Sequence, residues 1–532
     1  MSVLPKYEGE RVYRQVKARK TSNWDVIVVG SGMGGMCCAA ALAHYGKKVL
    51  ILERHYIPGG FTHMFQRGKF SWDVGVHALG EMDNRHKVGQ MLNWLSNNKI
   101  KMKSLGSPYD QFFWPGFDIG FPDSREKFNK VLKEKFPDEV DKIDEYFVFA
   151  KKVAKSTEFW FAMKSMPELI GKWGRRLYHL FNKNYWELTT KVVMDEMGLS
   201  PKLQTVLCAQ WGYYGSIPQE SSFAIHALTQ THFWGGAYYP EGGAKEIAGS
   251  LLKVVEDAGG ETLCGADVHE IIVENGKAKG VRLTTGEEFF AKKIVSGAPA
   301  KTTMSKLLPE KYRKTEWSKS IMELKNSPPY ICLHMGFEGD IKKAGASSTN
   351  WWFNNRWEVD NDFVWNIKEK DAEADILYVS FPSLKDPQHV PSENNYHTGE
   401  CVTFIPYDEF EQWNETNRTN RPEEYKKYKQ EIEDRLIAQL KKHMPEVMKH
   451  LTFCEMSTPL TAEHFCGAIQ GAIYGLASEP KRFNNEKLRP RTPIRNFYLT
   501  GIDSMSIGVA GAMTSGMMTA AAIDPRVYTK IV

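Results

Sequence analysis

Gly30-Ser31-Gly32-Met33-Gly34-Gly35 is a G-x-G-x-x-G run set between a β-branched stretch, residues 25–29, and an apolar helical stretch, residues 36–45. That spacing suits the chemistry of holding a diphosphate. Gly30 permits a tight turn, Gly32 lets phosphate approach the backbone, and Gly35 lets helix and strand pack closely. Ser31, Met33 and Gly34 complete a loop whose free N–H groups, at the positive end of the helix, attract an anion. The next extended run, residues 48–52, ends at Glu53, where a carboxylate accepts hydrogen bonds from an adenosine ribose.

Further glycines and acids separate a flavin dinucleotide from a nicotinamide one. Glu53-Arg54 runs into Gly59-Gly60-Phe61-Thr62, a second glycine pair that brings backbone near the cofactor again. Far along the chain, Tyr498-Leu499-Thr500-Gly501-Ile502-Asp503 puts an acid just after a strand, in reach of a ribityl chain or phosphate. Gly508-Val509-Ala510-Gly511-Ala512 then opens a helix whose N–H groups face a flavin pyrimidine edge and stabilise negative charge there. A close-packed glycine-rich helix is the plain alternative for that last segment. The order of strand, Gly-x-Asp and helix favours FAD.

Those residues need a strand, turn, helix, strand opening and a late return to the same sheet. Residues 85–235 carry helical periodicity and many aromatics, and the chain re-enters the sheet near Gly242-Gly243. Residues 268–273, 280–284 and 287–290 read as short strands with turns at Asn275-Gly276 and Thr285-Gly286, and 293–296 as another parallel strand. Residues 325–410 suggest antiparallel strands under a substrate cavity, and 421–443 a charged amphipathic helix. The fold class expected is α/β. It comprises a Rossmann-like FAD-binding domain, a parallel sheet with an antiparallel β-meander, interleaved with an α+β substrate domain and a helical lid. Residues 1–23 read as a flexible basic tail; 24–84, 236–300 and 480–532 as the FAD-binding domain; and 85–235 with 301–479 as the substrate-binding domain.

At 532 residues the chain exceeds one ordinary core, and 42% hydrophobic with 25% charged residues is a globular composition. A net charge of +5 neither demands nucleic acid nor excludes an anionic membrane surface. No apolar run reaches the roughly 18 residues of a spanning helix. The first 23 residues carry Lys6, Arg11, Arg14, Lys17, Arg19 and Lys20 without the apolar core of a signal peptide, as a solvated tail or a membrane-surface tether. Eight cysteines include no Cys-x-x-Cys and no zinc-type spacing with histidine, so no metal site is expected, and reduced cytoplasmic thiols fit best. Residues 159–186 interleave large aromatics with Lys and Arg, which suits peripheral contact with lipid headgroups; a lid packed on its own core is the alternative. No nucleic-acid module accompanies them.

Phe70-Ser71-Trp72-Asp73-Val74-Gly75-Val76-His77, Thr458-Pro459-Leu460-Thr461, Gly471-Ala472-Ile473-Tyr474-Gly475-Leu476 and Leu488-Arg489-Pro490-Arg491-Thr492-Pro493 carry a family resemblance. With them the chain resembles the retinol saturase, carotenoid isomerase and bacterial phytoene desaturase group of flavoproteins, from residue 24 to 523. Tyr239-Pro240-Glu241-Gly242-Gly243 is similar to that group's re-entry into the cofactor domain, and Val268 falls where its backbone meets the adenine. Phe61-Thr62 departs from a cysteine pair expected there. The resemblance implies tight, non-covalent FAD and redox or isomerisation chemistry on conjugated carbon–carbon double bonds of a long hydrophobic lipid, such as a retinoid, carotenoid or unsaturated fatty acid.

Saturation or desaturation needs hydride exchange and a proton source or sink. The candidates are His63, just after the glycine doublet, His77 in Asp73-x-Gly75-x-His77, and Tyr239, with Tyr474 on the same wall. For both histidines the alternative is a packed residue bonded to backbone, and isomerisation needs no acid or base at all. Two other functions compete: an amine or amino-acid oxidase of the same fold, and a non-catalytic lipid or prenyl-protein escort. A homodimer and the identity of an external electron donor or acceptor are left open. The location expected is cytoplasmic, against a membrane surface.

Overall fold

The computed structural model describes residues 2–531 apart from 4–5, 8–9, 17–23, 181, 361–362, 392–393 and 418–419. Trp24–Val29 and Val49–Glu53 are near-continuous apolar runs, and both lie inside a sheet covered by helices, as parallel strands must. Outward from Trp24–Val29 on one side run Val49–Glu53, Glu261–Cys264 and Arg14–Gln15, all parallel. On the other side Glu288–Ser296 pairs parallel to Trp24–Val29, and Phe497–Leu499 adds to it.

Two expectations change here. The strands anticipated at 287–290 and 293–296 are one strand, Glu288–Ser296. Its first residues pair antiparallel with Lys277–Leu283, its last parallel with Trp24–Val29, so the meander grows directly out of the parallel sheet. The flexible tail is also corrected at its described residues. Arg14–Gln15 extends the parallel sheet, and Val12 and Tyr13 are buried, because apolar side chains there cover an otherwise open sheet edge. Lys17, Arg19 and Lys20 lie outside the described residues.

Two small-residue helices, Met33–Ala43 and Gly508–Ile523, pack against each other on this sheet. A Cβ on Gly516 would stand 2.5 Å from the Gly34 carbonyl oxygen, so glycine there allows the close crossing. Cys37 and Cys38 fill the junction, fully buried.

The second sheet has the order Phe117–Phe121, Asp110–Trp114, Asn350–Asn354, Ile376–Ser380, Tyr396–Phe404, Tyr330–Glu338, Leu451–Ser457. Side chains alternate across a strand, and that alternation divides its two faces. Leu333, Met335, Leu377, Val379 and Cys401 pack with Ile432, Leu436 and Leu440 of the helix Glu423–His443. Tyr330, Trp352, Tyr378, Val402 and Phe404 face the other way and wall a cavity. The helices Val140–Ser165 and Phe223–Phe233 help close it, with Phe161, Ile225, Leu228 and Phe233. Among the described residues no helix is long and apolar enough to cross a membrane.

Candidate functional site

The turn after Trp24–Val29 is built for something outside the protein. A Cβ added to Gly35 would meet the Gly30 carbonyl oxygen at 2.2 Å, and one on Gly34 would meet the Gly501 backbone at 2.6 Å. A Cβ on Gly32 would meet no protein atom within 4 Å. Gly34 and Gly35 therefore lack side chains so that the chain can pack, whereas Gly32 lacks one beside open space. Gly32 also carries φ −63°, ordinary for any residue, and offers no side-chain cap, so the first N–H groups of Met33–Ala43 stay free for a ligand. Gly508–Ile523 likewise begins without a side-chain cap. This donor set fits a flavin dinucleotide.

Glu53 holds the loop in shape. Its Oε2 accepts Ser31 N–H at 2.8 Å and the Ser31 hydroxyl at 2.6 Å, and its Oε1 accepts His55 N–H at 2.8 Å. Ser31 Oγ in turn accepts Gly59 N–H at 3.0 Å. A Cβ on Gly60 would lie 3.0 Å from Gly32 Cα, so the two glycine turns touch. Asp503, expected to reach for the cofactor, spends Oδ1 on Leu476 N–H at 2.9 Å and Oδ2 on Ala300 N–H at 2.7 Å, tying three distant segments together. Arg54 lines the cavity beside Glu53 and donates to the His464 carbonyl at 2.7 Å.

One cavity of about 1650 Å³ joins this cradle to the aromatic chamber. Of the residues singled out from sequence, Gly30, Gly32, Met33, Gly34, Glu53, Arg54, Gly60, Phe61, Thr62, His77, Val268, Tyr474, Gly501, Asp503, Val509 and Ala510 line it. Ser31, Gly35 and Gly59 support the turns from behind.

His63 and Tyr239 are corrections, since neither lines the cavity. The His63 ring turns back onto its own glycine doublet, with Nδ1 2.5 Å from the Gly60 carbonyl, and burial pulls its pKa down to about 4. Tyr239 pairs against Lys103 in a short antiparallel ladder and donates its hydroxyl to buried Asp73, which also accepts Ala244 N–H at 2.9 Å. Burial and then the Asp73 charge hold the phenol far above its usual range, so Tyr239 braces the re-entry of the chain. Burial and the nearby Glu400 push Asp73 itself up to about 7.

His77 does reach the cavity, on a base the sequence did not reveal. Its Nδ1 lies 2.8 Å from Oε2 of Glu400, a fully buried carboxylate on Tyr396–Phe404. The N–H is not aligned on that oxygen, and among the described residues neither Glu400 oxygen has an aligned hydrogen-bond donor, so this is a close electrostatic approach rather than a formed hydrogen bond. His334, the cross-strand neighbour of Glu400, places Nδ1 3.7 Å from Oε1. Burial raises the Glu400 pKa, but His77 and His334 outweigh it and hold the carboxyl down to about 2. Lys385, also buried, donates to the His77 carbonyl at 2.7 Å, to Ser380 Oγ at 2.6 Å and to Asn350. Burial lowers this ammonium to about 7 against the pull of Glu400, Asp110 and Asp73. Tyr213 and Tyr378 line the cavity, yet donate their hydroxyls at 2.9 Å to Asp110 and Asn350 of the same network. The signal that would have found Glu400 is that it is the lone acid in the strand pattern of residues 396–404.

The stretch 159–186 divides. Trp160, Phe161 and Trp186 are core, and Lys164 and Arg175 are buried beside them. The separate helix Glu168–His179 and Leu180 turn Leu169, Ile170, Trp173, Leu177 and Leu180 outward, between 58% and 75% exposed. Phe181 lies outside the described residues. Tyr178 stacks on Phe159 at 4.9 Å, and Phe159 lines the cavity, so this apolar face adjoins one mouth.

Comparison with known proteins agrees with this geometry. The flavin containing amine oxidoreductase family matches residues 33–524. All-trans-retinol 13,14-reductase of Danio rerio is 31% identical over 96% of this chain and 87% of its own length. The chloroplastic prolycopene isomerase of Daucus carota is 27% identical over 94% of this chain and 80% of its own. An oxidoreductase from Methanosarcina mazei shares the fold with a TM-score of 0.60 at 17% identity, over 93% of this chain and 99% of that one.

Proposed function

The chain belongs to the flavin containing amine oxidoreductase family and uses FAD, and on that premise we propose that it saturates, desaturates or isomerises a carbon–carbon double bond in a long apolar lipid of the retinoid, carotenoid or unsaturated fatty acid type. The carrying observation is the continuous cavity that runs from the Gly32 turn, past His77, into a chamber walled by Phe161, Phe233, Trp352, Tyr378 and Phe404. The relatives named for a retinol reductase and a prolycopene isomerase support the same substrate class. FAD, when bound, supplies hydride exchange with a carbon of the double bond.

The protein's own residues do the rest. In this reading the N–H groups after Gly32 and after Gly508 hold the diphosphate and the pyrimidine edge, with Glu53 and Asp503 fixing the turns that present them. Tyr330, Trp352 and Phe404 exclude water and lay the polyene along the wall. His77 exchanges the accompanying proton. The exposed face of Glu168–His179, flanked by Lys172 and Arg176, rests on a membrane, so that an insoluble substrate enters at Phe159 without crossing water.

Purified protein should carry a yellow flavin spectrum, and after anaerobic photoreduction that flavin should reoxidise on adding a polyene such as all-trans-retinol, with the product identified by mass spectrometry. Bleaching of the oxidised flavin by simple amines, with no response to any polyene or unsaturated fatty acid, would replace this reading by an amine oxidase.

A further inference from the structure

Much of the chamber wall is apolar, and at His77 a fully buried carboxylate, Glu400, stands directly behind a ring that lines the cavity. We propose that Glu400 is the positioning residue of this site: from beneath the wall its carboxylate stands against Nδ1 of His77 and favours the proton on that nitrogen, so that Nε2, on the opposite edge of the ring, is the atom that gives a proton to the lipid or takes one from it. This deepens the reading of the site given above and rests on it.

Four observations carry the inference. Glu400 is wholly buried, lies 2.8 Å from His77 Nδ1, and among the described residues has no hydrogen-bond donor aligned on either oxygen. A buried carboxylate is costly when left alone, and the groups that approach its oxygens are the imidazoles of His77 and, 3.7 Å away, His334. His334 is not free to compete at the cavity, because its Nε2 is 3.0 Å from Ser457 Oγ. Lys385, on the short helix Pro382–Lys385, grips the His77 carbonyl, and the Tyr378 ring stands edge-on to the imidazole at 5.5 Å, so backbone and ring are both held. The other ionisable groups facing the pair are engaged elsewhere, Asp73 with the Tyr239 hydroxyl and the Ala244 N–H, and Asp110 with the side-chain amides of Gln210 and Asn350 and the Tyr213 hydroxyl. A carboxylate held against one imidazole nitrogen favours the proton there and leaves the other nitrogen to face outward.

The chemistry balances. In the saturating direction the π bond breaks and two C–H bonds form, one with the hydride that a reduced flavin supplies and one with the proton on Nε2. The electron pair of that N–H bond stays on the ring until water returns the proton. Desaturation runs the same exchange backwards.

The test compares wild type with Glu400→Gln and Glu400→Asp as full-length, flavin-loaded protein. Multiple-bond nitrogen NMR of histidine-labelled protein in mildly alkaline buffer, with His77→Asn to assign the signal, reads the tautomer directly. Wild type should show Nδ1–H at His77, and Glu400→Gln a mixed or reversed pattern. With the polyene substrate, Glu400→Gln should lower kcat about 100-fold while KM stays within about threefold, and Glu400→Asp should recover part of the loss. A wild-type His77 protonated on Nε2 alone, or a tautomer unmoved by Glu400→Gln, overturns the proposal. So does a Glu400→Gln kcat within about threefold of wild type. If Glu400→Gln does not fold, Glu400→Asp decides by the same split between kcat and KM. Should no polyene react at all, the substrate reading fails while the NMR signature still judges Glu400.

Discussion

Gly32→Ala separates a glycine kept for the protein from one kept for the cofactor. At Gly32 the backbone has φ −63° and ψ 168°, which alanine adopts freely, and the new Cβ finds no protein atom within 4 Å. The protein without flavin should therefore unfold within about 0.5 kcal/mol of wild type, as unstrained changes away from packed contacts do. The methyl instead enters the open space beside the first N–H groups of Met33–Ala43, where the proposed diphosphate would sit. Crowding of that kind costs about 1–3 kcal/mol, which is roughly 5- to 150-fold in Kd. Gly34→Ala is the contrasting variant. Its Cβ would stand 2.6 Å from the Gly501 backbone, where ordinary contact starts at 3.4 Å, so the two ends of the chain must part by 0.8 Å and flavin-free stability drops. Titration of flavin-stripped protein with FAD, followed by fluorescence quenching, gives Kd, and denaturant unfolding gives stability. If Gly32→Ala destabilises the flavin-free protein as much as Gly34→Ala does, or binds FAD within twofold of wild type, the assignment of that space to the diphosphate is wrong.

Two more outcomes are expected from the structure. Asp73 is pushed up to about 7 by burial and Glu400, above the value of about 3.9 of an unfolded aspartate, so its contribution to stability is complete below about pH 4 and is lost as pH rises through about 7. Asp73→Asn can still accept Ala244 N–H and bond Tyr239; its melting temperature relative to wild type should climb between about pH 4 and pH 8, and a difference that stays flat would show Asp73 already ionised at no cost. Trp173 is 69% exposed on the apolar face of Glu168–His179. Trp173→Glu should leave the melting temperature alone yet weaken co-sedimentation with anionic phospholipid vesicles about tenfold, from the roughly 1.5–3 kcal/mol that burying such a side chain contributes; unchanged sedimentation would remove the membrane from the account.

The two candidate histidines show what lay beyond the sequence. His63 and His77 stand either side of a hairpin, Met64–Arg67 with Phe70–Asp73, and each lies within a few residues of a glycine. Nothing in their neighbours says which ring is turned to the cavity. The answer depends on the hairpin docking against Tyr330–Glu338, where Trp72 donates to the Met335 carbonyl at 3.0 Å. Glu400 was further out of reach, because its meaning comes from a partner 323 positions away and from strand alternation that turns it inward.

By itself the sequence determined the glycine turn proposed to cradle the dinucleotide, since a strand, three spaced glycines, a helix start and Glu53 are all local and act through backbone that glycine alone leaves open. It also determined that both ends of the chain meet there, because the glycines that permit the contact, Gly34 and Gly501, are written at each end. Only the tertiary structure decided which titratable groups face the cavity. Burial, register and the approach of unlike charges are properties of segments brought together from across the chain, and a side chain's neighbours in sequence do not carry them.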